Sequence, residues 1–330
     1  VRWIALALLA LLVAPGCLNR PAASAPPVTF PAIRFEVQVD ATHQGFFTAI
    51  LWPNETPATA AFYRNLTTQG YYDKREFTRV IPGFVIQQTD RSGGATDTKE
   101  TIPLEAGRNL TFSAGALGIA RGDLPDSGGP EFFVMDFANT SAALYGNYTA
   151  FGQVVDGLDV VHAIARVPSV RNPACGNAAT AGAACFLGVP GAPVSTFDQE
   201  AVSPPKITSA RWTTVSLPAS VAARYPLQAS APVISGNVRM VLEWPHDLRA
   251  GQASPITWYV WNRPADGVTD APPDLAKAYV LVANQTLEPK PDAADARILH
   301  FTWTPPAPGS YHVELRNATA TMAAADVVVP

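Results

Sequence analysis

Residues 77–90 read F-T-R-V-I-P-G-F-V-I-Q-Q-T-D. Arg79 is the one cation in an apolar run. Gln87 follows eight residues later, and Phe84 stands between them. A strand period places Arg79, Ile81 and Gly83 on one face and Val80 and Pro82 on the other. Pro82-Gly83 breaks the strand, and Phe84-Val85-Ile86 resumes it. By itself the pattern describes two core strands whose arginine reaches water along its aliphatic stem.

The neighbouring residues change that reading. Phe77, Arg79, Ile81, Pro82, Gly83, Phe84, Gln87 and Asp90 fall on the ordered pattern F-H-R-x-I-P-G-F-x-x-Q-G-G-D. The stretch therefore resembles the signature of the cyclophilins, the cyclosporin-binding peptidyl-prolyl isomerases. Thr78 replaces the usual His, and Gln88-Thr89 replace the usual Gly-Gly. Upstream, P-A-T-A-A-F-Y-R-N-L from Pro57 and G-Y-Y-D from Gly70 are similar to the family's approach to this strand. Downstream, G-A-L-G-I-A-R from Gly115 to Arg121 resembles G-T-L-G-M-A-R. P-E-F-F-V from Pro130 to Val134 resembles S-Q-F-F-I, and L-Y-G-N-Y-T-A-F-G from Leu144 to Gly152 is close to the bacterial-type ending. Pro205 to Ala210 resembles the last strand. The likeness runs from about Ile33 to about Val215. It implies a mainly β fold over 32–216: an eight-stranded antiparallel barrel with two capping helices.

The resemblance also implies a site. Arg79 is the expected catalytic residue. Phe84, Val85, Phe133 and Leu144 would cradle a proline ring, with Val85 making a smaller floor than the usual Met. Gln87 would bond the substrate backbone and orient Arg79. Ala120 and Arg121 would pair with an extended peptide, and Tyr148 stands where many members have His. Glu131 replaces a substrate-binding Gln and is expected to draw Arg79 or Arg121 into a salt bridge. The Trp that favours cyclosporin in some members is Ala143 here, which argues against tight drug binding. Twisting a Xaa-Pro amide needs no nucleophile, metal or proton relay, so no cofactor is implied.

Local patterns support the barrel. Ile33, Phe35, Val37 and Val39 alternate with Arg34, Glu36 and Gln38, as in a half-buried strand. Phe46 to Leu51 forms the return strand. Thr56 is the expected cap of a helix with Pro57 at its first position, ended by Gly70. Gly157 to Arg166 reads as a second amphipathic helix. Ser92-Gly93-Gly94 lacks the Lys-Ser/Thr of a phosphate loop.

The chain has 330 residues, 48% hydrophobic and 15% charged, with net charge −4, and this length suggests two domains. The acidic balance argues against a nucleic-acid partner. Arg2 precedes the apolar run Ile4 to Ala14, which is too short to span a bilayer and fits a signal-peptide core. Ala14-Pro15-Gly16-Cys17 looks like a lipobox, so 1–17 is expected to be a leader with Cys17 lipidated; ordinary signal cleavage near Gly16 is the other reading. Residues 18–31 form a Pro/Ala/Ser-rich tether. Residues 171–199 are a Gly/Ala/Pro-rich insertion holding Cys175 and Cys185, which an exported protein can pair as a disulfide. Seven Asn-x-Ser/Thr triplets, at Asn54, Asn65, Asn109, Asn139, Asn147, Asn284 and Asn317, suggest a glycosylated surface. They are also good turn chemistry.

Residues 217–236 are expected to be a linker. Beyond it, Val238–Trp244, 257–262, 279–284, 298–304 and 311–315 read as short strands, so 237–330 is expected to be an immunoglobulin-like β-sandwich. His246 and Asp247, beside Pro245, belong to a turn. The whole chain is therefore expected to be a membrane-anchored, extracellular or cell-surface peptidyl-prolyl isomerase. Its partners would be proline-containing polypeptides of exported proteins. The alternative is a weakly catalytic module that captures proline-containing segments.

Overall fold

The computed structural model describes residues 25–89, 100–106, 110–138, 144, 146–171, 199–230, 233–235, 238–262, 275, 277–293, 296–317 and 320–330. Cys17, Asp90, Asn109, Asn139, Ala143, Cys175 and Cys185 lie outside these residues, as does the loop around Ser92-Gly93-Gly94.

Eight strands close into the expected barrel. They are β1 (Val28–Gln38), β2 (Gln44–Leu51), β3 (Glu76–Ile81), β4 (Val85–Thr89), β5 (Ala116–Ile119), β6 (Phe132–Met135), β7 (Ala150–Asp156) and β10 (Lys206–Leu217). Their order is β10-β1-β2-β7-β5-β6-β4-β3, and β3 returns to β10 through Glu76 and Lys206. Two short strands, β8 (Ser169–Arg171) and β9 (Gln199–Ala201), pair with each other at the two ends of the Cys-containing insertion. They extend the sheet beyond β3. Closure leaves the barrel proper without a free edge, so each backbone polar group on its wall can find a neighbour.

Alternation selects the interior. Ile33, Phe35 and Val37 of β1 point inward, while Arg34, Glu36 and Gln38 stay half-buried outside. Helix α1 (Pro57–Thr68) places Phe62, Tyr63 and Leu66 against this core, and α2 (Leu158–Ala165) adds Val160, Val161 and Ile164. Each such side chain contributes roughly 1.5–3 kcal/mol by leaving water. Tyr63 also stacks on Phe151 at 4.3 Å and donates its hydroxyl to Gly129 O and Glu131 O at 3.1 Å.

Thr56 does precede the first helix, but its side chain does not cap it. Its hydroxyl donates back to Trp52 O at 3.0 Å. The open N–H groups of Ala58 and Thr59 instead reach the carboxylate of Glu105, at 3.1 and 2.9 Å. A negative charge at a helix N-terminus serves the same purpose from any distance along the chain.

β1 begins at Val28, so the last residues of the expected tether belong to the barrel. The described part of the expected linker 217–236 is also structured. It carries the end of β10, the short helix α3 (Ala219–Ala222), β11 (Gln228–Ala229) and β12 (Val233–Ser235). Both short strands pair with β13 (Val238–Trp244). Pro and Ala content signalled irregular chain, but edge strands tolerate such composition when a central strand supplies the partners.

The C-terminal region consists of two packed sheets. One has the order β11-β13-β14-β18-β17, with β14 at Ser254–Asn262, β17 at Lys290–Pro291, β18 at Ile298–Trp303, and β12 also pairing with β13. The other is β16-β15-β19-β20, with β15 at Ala278–Val282, β16 at Gln285–Leu287, β19 at Gly309–Asn317 and β20 at Ala320–Val329. Trp258, Leu242 and Phe301 from the first sheet meet Val280, Leu315 and Val327 from the second in one core. The five expected strands are present, and β20 is an additional long one.

Candidate active site

The signature stretch folds as a hairpin, and both its faces are covered. Phe77, Val80 and Ile86 belong to the barrel interior. Ile81, Phe84 and Val85 belong to a separate apolar cluster on the outer wall, with Phe112, Phe133, Leu144 and Tyr148. Strict alternation would put Phe77 on the face of Arg79. A bulge at Thr78, between the pairs Phe77↔Gln88 and Arg79↔Gln87, resets the parity. Phe77 can then point inward while Arg79 points out, directly opposite Gln87.

The turn is built for this pair of strands. Phe84 N–H donates to Ile81 O at 2.9 Å, and Gly83 has φ +76°. That is a type II turn, with Pro at its second position and a left-handed residue at its third. Asp136 clamps the turn from the far side. Its carboxylate accepts the Gly83 N–H at 2.6 Å, and its own N–H donates to Phe84 O at 2.8 Å. Asp136 is fully buried and also meets His162 Nδ1 at 2.6 Å and Arg166 Nη1 at 3.2 Å. Burial alone would raise its pKa, but the His162 bond, Arg166 and the Gly83 N–H together hold it below the ordinary value.

Arg79 is 7% exposed, and its Nη1 donates to Gln87 Oε1 at 3.0 Å. Its guanidinium carbon is 5.8 Å from the Phe84 ring centre. The two residues edge a cleft of about 330 Å3, counted with the solvent in its mouth. The cleft brings together Arg79, Phe84, Val85, Gln87, Ala120, Arg121, Phe133, Leu144 and Tyr148. Tyr148 meets Phe133 edge-on at 6.0 Å, and the Arg121 guanidinium lies 4.6 Å from the Tyr148 ring. Arg121 is held by Asn147 O at 2.6 Å and Gly122 O at 2.8 Å. Burial pushes the Tyr148 hydroxyl above its ordinary pKa, against the pull of Arg121 and Arg79. Gly118 is required beside Phe133, since a Cβ there would lie 2.1 Å from the ring.

Glu131 is the sequence-predicted site residue that does not line this cleft. Its backbone carbonyl accepts the Ala120 N–H at 2.9 Å. Burial raises its carboxyl to a pKa of about 7, opposed by Arg75 rather than by Arg79 or Arg121. The cation that acts on this carboxyl is Arg75, and neither residue lines the cleft. Glu131→Gln should leave kcat/KM within about 2-fold, an effect below ~0.4 kcal/mol. Its visible effect should be on stability. The folded carboxyl holds its proton more tightly than the unfolded one, so wild-type stability falls as pH rises from the ordinary value of 4.5 to about 7. The variant should lose that slope and gain Tm over wild type above pH 7. Thermal melts from pH 5 to 8 check this, and parallel curves would refute it.

Sequence reading missed Asp136 and Phe112. Asp136 was legible as the lone carboxylate inside F-F-V-M-D-F-A, since a carboxylate among apolar residues is seldom buried without partners. Phe112, which stacks on Phe133 at 5.8 Å, carries no local signal.

The fold and site together are a closed antiparallel barrel with an arginine and a glutamine at the edge of an apolar cleft on its outer wall. Comparison with known proteins gives the family. The family described as cyclophilin type peptidyl-prolyl cis-trans isomerase/CLD matches residues 34–178. A peptidyl-prolyl cis-trans isomerase of Acinetobacter baylyi is 35% identical over 137 residues, covering 39% of this chain and 71% of the relative. Peptidyl-prolyl cis-trans isomerase B of Escherichia coli is 34% identical over 139 residues, 40% of this chain and 85% of the relative. The Bacillus subtilis isomerase B is 39% identical over 111 residues, 33% and 76% respectively. The chain belongs to the cyclophilin-type peptidyl-prolyl cis-trans isomerases.

Proposed function

We propose that this chain is an exported isomerase that assists the folding of polypeptides outside the cytoplasm, with Arg79 as its catalytic residue. The Arg79–Gln87 hydrogen bond at the edge of the apolar cleft carries this reading. A Xaa-Pro bond must lose its amide resonance over a barrier of ~18–20 kcal/mol. Catalysis then requires tighter binding of the twisted amide than of the planar one. Phe84, Val85, Phe133 and Leu144 hold the proline ring. As the prolyl nitrogen becomes pyramidal and basic, a guanidinium donor beside it lowers the barrier electrostatically. Gln87 fixes the guanidinium, so little reorganisation is needed at the moment of twisting. Ala120 and Arg121 offer backbone groups to the extended substrate, and Tyr148 closes the cleft.

Export rests on the leader-like start, Cys17, the Cys175–Cys185 pair and the sequons. Asn54, Asn65, Asn147 and Asn284 are exposed, and Asn317 is half-buried. Fractionation of cells making the full chain tests this reading. The isomerase should sediment with membranes, move to the soluble fraction in Cys17→Ser, and resist alkylation at Cys175 and Cys185 until reduced. A soluble cytoplasmic protein with two free thiols would overturn it.

A further inference from the structure

Among the described residues, the C-terminal sheets share an apolar cluster with the barrel, and this cluster adjoins segments that support the cleft. Ala114, Phe137 and Ala138 of the barrel form a single apolar cluster with Val241, Tyr259 and Ile298. Phe137 meets Tyr259 at 5.3 Å, and the Arg297 guanidinium lies 5.4 Å from the Phe137 ring. Inside this cluster sits a carboxyl. Glu243 of β13 is 6% exposed, and its Oε2 accepts the Ala114 N–H at 2.9 Å. The Tyr259 hydroxyl lies 3.4 Å from its Oε1. Thr111 donates its hydroxyl to Leu227 O, a second bond across the same boundary.

The two barrel segments held here are the ones that support the cleft. Phe112, between Thr111 and Ala114, stacks on Phe133. Asp136, next to Phe137, holds Gly83 and Phe84. Two walls of the cleft, Phe133 and Phe84, are thus one contact removed from the C-terminal sheets. An acceptor is needed at position 243 because the Ala114 N–H is buried, and an unpaired buried donor is costly.

We propose that the C-terminal domain positions the isomerase cleft, and that Glu243 is the positioning residue through which it does so. The inference rests on the isomerase activity of the cleft and is independent of export. Docking holds 110–114 and 136–138 in the one arrangement in which Phe133 and Phe84 face each other across the proline site. Removing the Glu243 acceptor loosens the first segment, which keeps its bonds to Gln153, and lets Phe112 and Phe133 shift together. The loss falls on substrate binding, because Arg79 and Gln87 stand on β3 and β4, away from the loosened segment.

Kinetics on the full chain decide it. Glu243→Ala should raise KM for an Ala-Pro tetrapeptide roughly 3–10-fold with kcat little changed, the range expected when one contact in a coupled network is lost. Glu243→Gln should restore KM. Its amide oxygen can accept the Ala114 N–H, and burial pushes the Glu243 carboxyl up to about 8, toward the neutral form that the amide matches. Val313→Ala, in the C-terminal core and off this boundary, should lower Tm without moving KM. Wild-type KM in Glu243→Ala overturns the proposal, as does an equal rise in Val313→Ala. If Glu243→Ala fails to fold, Thr111→Val takes its place, with a KM rise of about 2-fold or more expected and an unchanged KM overturning the proposal.

Discussion

Arg79→Ala should lower kcat/KM for an Ala-Pro tetrapeptide at least ~10-fold, since removing one preorganised donor to a developing charge typically costs 10²–10³. The expectation follows from where the guanidinium is held. It is nearly buried, bonded to Gln87 and set against the Phe84 ring, so it meets the substrate with its orientation already fixed. The fold should survive, because the interior positions of this strand are filled by Phe77 and Val80, which the substitution leaves in place. Arg79→Lys should recover little, since an ammonium on a flexible stem cannot keep the Gln87 bond and a donor to substrate in one plane. A protease-coupled assay with matched circular dichroism spectra measures this. Wild-type rates in the alanine variant would remove Arg79 from the mechanism.

The second large effect is on stability. Asp136→Ala should cost about 3 kcal/mol or more, the range for breaking a buried charge pair by deleting one partner. That corresponds to a fall in Tm of roughly 6–12 °C. Three groups lose their acceptor at once: the Gly83 N–H, His162 and Arg166. KM should rise as well, because the turn that presents Phe84 loses one of its two ties to Asp136. Asp136→Asn keeps a neutral acceptor and should cost less. The pH dependence separates charge from packing. The folded pKa of Asp136 lies below its ordinary 3.8, so its carboxylate adds stability above that value and loses it as pH falls through the folded pKa. The Asn variant should therefore show a flatter acid limb below about pH 4. Melts at pH 7 and pH 3 would contradict this account if alanine cost nothing at neutral pH, or if asparagine left the acid limb unchanged.

Together the two variants separate the tasks of the hairpin. Arg79 acts on the reacting bond, and Asp136 keeps the turn in the shape that puts Phe84 beside it. The C-terminal sheets meet Phe137, the residue after Asp136, so turn, cleft and C-terminal sheets share one short stretch of chain.

What the sequence alone determined is local. Alternation in Ile33 to Val39 identified a half-buried strand because side chains in a strand take opposite faces in turn. Pro82-Gly83 identified a turn because proline presets one dihedral and glycine tolerates the next. The site was legible only through the resemblance of Phe77 to Asp90 to the family signature, since the spacing of Arg79, Phe84 and Gln87 by itself describes two core strands. Tertiary structure decided what depends on partners far along the chain. The helix cap came from Glu105 and not from the adjacent Thr56. The bulge at Thr78 altered a count that alternation had assumed to be regular. Glu131 came to lie under the influence of Arg75, 56 positions earlier in the chain. Gly83 is bonded to a residue 53 positions away, and Ala114 to one 129 positions away. Such contacts are set by which sheets pack together, and packing is fixed by the total apolar surface to be covered rather than by any local pattern.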